Sequence, residues 1–259
     1  FKFALVAAHH GHADDESPVR CAFYLHDLVW LGSPAGVLEY DRDFIEQTGG
    51  EYRSLMELRT PEDAELARAI YKNAEPLGLV WERLGIRCGE ELHMSKASHL
   101  FTPIEQVLGA DQDPREPDVA KDLRERGYLP LYEGKHFHQF NDRWDERPRY
   151  LVSVSKLRQE RQGIISCADH FRLSFREIAR STDERTGHFV VLAPGNVCNN
   201  KAPCERTPTA RQSTTILTFV SLANSFGFDW VLRGKVAATV NLFILHNCPV
   251  PKSLFEPLR

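Results

Sequence analysis

The sequence predicts an α+β fold with mixed α/β character, and three observations carry that expectation. Short apolar or alternating stretches of strand length recur along the chain. Helical segments are interleaved with them rather than segregated, and the one beginning at Thr60 has a strong start signal. The 259 residues are 42% hydrophobic and 26% charged, enough for one large core or two ordinary ones.

In order, Phe1–Ala8 is expected to be a strand, followed by a polar loop from His9 to Pro18 and a second strand at Cys21–His26, the two forming a hairpin. His9, His10 and His12 lie in that loop without a matching carboxylate pattern, so no metal site is assigned to them. Gly32–Gly50 is loop with one short helix near Asp41–Gln47. Thr60 then caps a helix, with Pro61 at its first position, Glu62 and Asp63 in its first turn, and Ala64, Ala67, Ile70 and Tyr71 as its apolar stripe. Trp81–Cys88 and Leu92–Met94 have strand character. Pro103–Leu108 is a helical turn, Asp111–Pro117 is linker-like, and Val119–Arg126 is a short helix stopped by Gly127.

Beyond it, Glu133-Gly134-Lys135 predicts a turn. His136–Phe140 alternates as a strand, with His136, His138 and Phe140 on one side. Tyr150–Val152, Ile164–Cys167, Phe171–Arg176 and Phe189–Ala193 are expected strands, and Val197–Asn200 begins another. In the third of these, Phe171, Leu173 and Phe175 form a core face, and Arg172, Ser174 and Arg176 a polar face. Ser181–Thr186 is a turn. Thr214–Asn224 and Phe228–Lys235 are helices separated at Gly227. Asn241–Leu245 is a strand or turn ended by Pro249 and Pro251.

Charge divides the chain. Residues 1–134 carry 14 Lys and Arg against 25 Asp and Glu, a balance of −11; residues 135–259 carry 18 against 11, a balance of +7. This polarity suggests two subregions, 1–128 and 129–259, the second presenting a basic face to an anionic partner. No apolar run approaches the roughly 18 residues of a membrane span, so no membrane partner is expected. Six scattered cysteines without a C-x-x-C pair fit reduced thiols in a cytoplasmic protein. The start at Phe1, already strand-like, suggests that the chain begins inside a longer protein.

No phosphate-binding glycine loop, zinc-protease helix or nucleophile elbow is present. The tetrapeptide Asp/Asn-Pro-Pro-aromatic, which marks enzymes methylating amino groups on DNA, is also absent. Pro117-Asp118 with Glu133-Gly134-Lys135 has the shape of a Mg²⁺ nuclease site, two carboxylates for the ion and a lysine for the water. A capped helix and a plain turn account for the same residues, so the nuclease stands as an alternative, as does a protein–protein interaction module. His136 and His138 suit hydrogen bonding better than a metal pair.

Several stretches taken together resemble one family. They are Cys21–Asp27, Asp63–Tyr71, Ser98–Phe101, Leu129–Trp144, Phe175–Thr186, Val197–Pro203, Asn224–Trp230 and Asn241–Ile244. In content and order they are similar to the C-terminal half of adenine-specific DNA methyltransferases of type II restriction–modification systems. Some of those enzymes are fused to an endonuclease, and relatives occur in other phage-defence systems. The resemblance implies specificity-domain-like sheets with packed helices. It also implies that the catalytic Asn-Pro-Pro-Tyr and the S-adenosylmethionine site lie upstream in a methyltransferase domain of the same protein. This chain would then hold no cofactor and no catalytic residue, and would recognise a double-stranded DNA sequence. The turn Leu131–His136 is similar to the K/R-G-R-D-I turn of specificity domains but has Lys135 and His136 where Arg-Asp is usual. Arginine reads guanine and asparagine reads adenine through bidentate hydrogen bonds. The residues expected on the DNA are Lys135, His136, His138, Arg143, Arg176, Arg180, Ser181, Thr182, Arg185, Asn199 and Asn200.

Overall fold

A computed structural model describes residues 6–7, 17–32 and 35–255. It is mixed α+β, as the pattern predicts. The chain divides after Lys72 into two compact units. The functional boundary expected after residue 128 falls inside the second unit, at the first residue of strand β6, introduced below.

In the first unit, β1 (Val19–Cys21) pairs antiparallel with β2 (Leu38–Tyr40), followed by α1 (Arg42–Gly49) and α2 (Pro61–Lys72). The expected strand at 1–8 lies outside the described residues apart from Val6 and Ala7, which are in no strand, and the loop histidines 9, 10 and 12 also lie outside them. The partner of β1 is therefore β2, a strand the loop-like composition of 32–50 concealed. The start of α2 follows its sequence: Thr60 Oγ1 accepts from Asp63 N at 3.2 Å, and the Asp63 carboxylate accepts from Thr60 N at 3.1 Å.

The second unit opens with β3 (Ala74–Pro76), α3 (Leu77–Leu84), β4 (Cys88–Gly89), β5 (Phe101–Pro103) and α4 (Pro117–Glu125). Then come β6 (Tyr128–Tyr132), β7 (Tyr150–Ser153), α5 (Val154–Ala168), β8 (Arg172–Phe175), β9 (Phe189–Leu192), β10 (Val197–Cys198) and β11 (Cys204–Glu205). It closes with α6 (Ser213–Ala223), α7 (Phe226–Arg233), α8 (Leu242–His246) and β12 (Pro249–Pro251). One sheet has the order β10-β6-β7-β5, with only β10 and β6 parallel; a second, all antiparallel, has the order β4-β11-β8-β9; β12 pairs with β3.

Helices α3, α6 and α7 cover one face of the second sheet. Val80, Trp81, Phe175, Phe189, Phe219 and Phe228 pack there, with Phe189 meeting both Phe219 and Phe228 edge to face at 5.9 Å. No single described helix is long and apolar enough to cross a membrane. The pair α6 and α7 reaches that composition only together and bends by 65°.

Several local expectations are corrected. The first half of Trp81–Cys88 is the end of α3, which begins right after Pro76 and ends on the left-handed Gly85, at φ 69°; only Cys88 is in a strand, β4. Ile164–Cys167 is the end of α5, whose backbone breaks at Arg161. Leu92–Met94 contributes one isolated bridge, to Asn199. The helix break lies at Asn224–Ser225 rather than Gly227, because the Ser225 side chain caps α7 through Phe228 N. Asn241–Leu245 forms most of α8, and Pro249 and Pro251 sit inside a strand rather than after one. On β8 the expected core face holds at Leu173 and Phe175, but the opposite face is not free: Arg172 and Ser174 are fully buried too, and Phe171, just before the strand, is 58% exposed.

Candidate nucleic-acid interface

The segment from Glu133 to Asp145 is a tight 3-10 turn followed by a projecting loop, not a strand. Gly134–His136 is the 3-10 turn, closed by a reciprocal cap: Glu133 N donates to His136 Nδ1 at 3.0 Å, while the Glu133 side chain accepts from the His136 backbone. His136 is consequently fully buried. Burial first, and then the cations Lys135, Arg115 and Arg149, drive its pKa from 6.5 down to about 3. Arg149 clamps the Glu133 carboxylate at 3.0 Å.

Gly134 is required by a close approach. A Cβ there would lie 2.5 Å from the Lys201 carbonyl oxygen and 3.1 Å from Arg176 Cγ. Gly134→Ala is therefore expected to lower stability by about 2–3 kcal/mol. Gly163→Ala in α5, where no atom lies within 4 Å of the added methyl, is expected to be neutral or stabilising. Thermal melts of the two variants side by side check this.

Two arginines, Arg115 buried and Arg176 half-buried, support the loop. Arg176 donates to the carbonyls of Gly134 and Phe137, both at 2.8 Å. Arg115, paired with Asp113 at 2.7 Å, donates to the carbonyls of Trp144 and Asp145 at 2.9 and 3.2 Å. The loop doubles back at His138–Asn141, whose backbones exchange hydrogen bonds of 2.8 and 3.1 Å. Phe140 is at the third position of that turn with φ 60°. This is a conformation suited to Gly or Asn, and an aromatic residue there costs on the order of 1–2 kcal/mol. Phe140 N donates to Phe189 O, and Gln139 Nε2 to Gly187 O, so the turn is tied to the start of β9.

The side chains at the far end of this loop face solvent, while Phe137 at its start is buried. Phe140 is 64% exposed and Trp144 45%. The Trp144 ring lies 4.7 Å from that of His138, whose Nε2 is 3.2 Å from His188 Nε2. Lys135 pairs with Glu146, Arg143 with Glu116 and Lys201 with Glu177, all on side chains that keep substantial solvent exposure.

The expected DNA-facing residues thus fall into two groups. Lys135, Arg143, Arg180 and Thr182 are at or near the surface, with Ser181 and His138 half-buried. Arg180 is the one arginine of the 176–185 segment whose guanidinium has no partner among the described residues. Its backbone N–H is held by Asp183 at 2.9 Å. The others are taken up by structure. His136 is the cap described above. Arg176 holds backbone carbonyls instead of standing on a free polar strand face. Arg185 donates to Asn224 O at 2.6 Å, faces Asp229 and stacks over Phe226 at 4.4 Å. Asn199 is buried and accepts from Lys201 N at 2.8 Å, and Asn200 accepts from Met94 N at 3.3 Å. The carbonyls of Ser181, Asp183 and Glu184 all accept from Arg233, which fixes the turn.

Two of the three residues of the alternative nuclease grouping already have charged partners. Glu133 is bound to Arg149 and His136, Lys135 to Glu146, and Asp118 sits in the first turn of α4. Among the described residues the one metal-like cluster is Glu91, Cys198 and Cys204, fully buried. The Arg172 guanidinium already fills it, 2.7 Å from Glu91 and 3.5 Å from Cys204 Sγ, and burial holds the Cys204 thiol well above its usual pKa. No protein-family model matches the chain, and no curated protein matches it.

Sequence reasoning missed the residues that shape the loop: Arg115, Gly187, His188 and the left-handed Phe140. Nothing local marks Phe140, because the turn His-Gln-Phe-Asn lacks the glycine that announces such a corner.

Proposed function

We propose that this chain is a target-recognition region for duplex DNA, serving an N6-adenine methyltransferase domain that precedes it in a longer protein. The observation that carries the reading is the buttressed loop 136–145. Its backbone is held by Arg115 and Arg176 from the buried side, while Phe140, Arg143 and Trp144 are left facing solvent. A fixed loop with exposed side chains is what base-edge contacts need. The ordered motifs shared with methyltransferase specificity regions supply the second support.

The cations near the loop are paired with carboxylates, but at exposed sites such pairs contribute about 0–1 kcal/mol. Lys135, Arg143 and Lys201 can therefore exchange their carboxylates for DNA phosphates at little cost, and Arg180 needs no exchange. About four phosphate contacts give an affinity that falls about a hundredfold between roughly 50 and 200 mM salt. Titration of the chain against a randomised duplex library at several salt concentrations measures that slope. A Lys135→Glu, Arg143→Glu double variant should flatten it. A salt-independent affinity, or none for any duplex, would remove the reading.

A further inference from the structure

We propose that Phe140 is a stacking wedge that enters the bound duplex and separates one base step, an assignment that rests on the DNA-recognition reading above. Three observations on the loop converge. Phe140 holds a left-handed backbone, φ 60°, that suits glycine and disfavours a bulky side chain. Its ring gains little from burial in return, being 64% exposed. The backbone beneath it is also unable to relax: His138 and Asn141 exchange two hydrogen bonds, Phe140 N is held by Phe189 O, and Gln139 is held by Gly187 O. A strained, exposed aromatic on a fixed support is organised in advance for something that arrives from solvent.

The surroundings select a nucleobase as that something. A protein partner would be met by a continuous apolar patch, whereas Phe140 is flanked by Gln139, Asn141, Asp142 and Arg143. An exposed apolar ring flanked along the chain by polar side chains is the form of a DNA wedge, which unstacks a step while its neighbours contact the groove and backbone. Trp144, 45% exposed and packed on His138, offers a second ring on the same loop. Separating a base step is also the first need of an enzyme that must take an adenine out of the helix.

Phe140→Gly tests the wedge, because glycine adopts the same backbone without strain. The probe is a randomised duplex library carrying 2-aminopurine, whose fluorescence rises when it unstacks. The wild-type chain should bind with a fluorescence increase. Phe140→Gly should melt at the same or a higher temperature, bind about tenfold more weakly and lose the increase. Phe140→Trp should restore both. Unchanged affinity and fluorescence for Phe140→Gly would overturn the wedge while leaving DNA recognition standing. Weaker binding together with a lower melting temperature would make the ring structural and overturn it too. Failure of the wild-type chain to bind any duplex would sink the DNA reading and the wedge with it.

Discussion

Replacing Arg172 with methionine should lower the unfolding free energy by about 3–5 kcal/mol, because it leaves the Glu91 carboxylate buried without its cation. Arg172 is fully buried, donates to Glu91 at 2.7 Å, and uses its other nitrogen on the Asn196 carbonyl and side chain at 2.8 and 3.0 Å. Glu91 also accepts from Cys198 N at 2.8 Å, so the pair joins β8 to β10 and thereby to the neighbouring sheet. The double variant Arg172→Met, Glu91→Gln should recover at least half of the loss. A neutral amide still accepts from Cys198 N and leaves no buried charge. Urea unfolding of the wild-type, single and double variants measures all three. Equal loss in the single and double variants would show that the cost is not the stranded charge.

Acid should destabilise this protein well above the carboxylate range. His136 and His188 are held neutral in the folded state, with pKa values lowered from 6.5 to about 3 and about 4. For His136 the causes are burial and then the cations Lys135, Arg115 and Arg149, with Glu146 opposing them. For His188 they are burial, then Arg176 and His138, with Asp229 and Asp183 opposing. The unfolded chain takes up these protons as pH falls below 6.5, while the folded chain does not. The stabilisation is thus complete above pH 6.5 and is lost progressively down to the folded pKa values. For His136 alone it is on the order of 4 kcal/mol across that window.

The geometry gives the reason. His136 Nδ1 accepts from Glu133 N, so a proton placed on that nitrogen would face an N–H donor and break the cap. His136→Gln keeps an acceptor but cannot titrate. It should reduce the slope of stability against pH between about pH 6 and 5 by about 1.4 kcal/mol per unit. Denaturant unfolding at several pH values checks this, and an unchanged slope would assign the acid sensitivity elsewhere.

How far the fold was legible follows from the range of the forces involved. Helix α2 was legible because Thr60, Pro61 and Asp63 act within one turn of each other. Helix α3 was not. Trp81–Cys88 read as a strand, whereas Pro76 closes the short strand β3 and α3 starts directly after it. The alternation on β8 correctly placed Leu173 and Phe175 in the core, but the opposite face, expected to be open, is buried as well. Arg172 points inward because Glu91, 81 residues away, waits there, and no local pattern carries that information. The candidate site shows the same division. The turn at Glu133–Lys135 was expected from its glycine, but the burial of His136 depends on the reach of Arg149, and the roles of Arg176 and Arg185 on carbonyls supplied by distant segments.

The pairing of β12 with β3 has a topological consequence. Val250 lies opposite Glu75 and Pro251 opposite Ala74, so the first and last strands of the second unit are hydrogen-bonded neighbours. A unit whose ends meet can be spliced into a host loop, or cyclically permuted by joining those ends, without either connection crossing its surface. A truncation ahead of Pro249 would strip β3 of its one strand partner among the described residues.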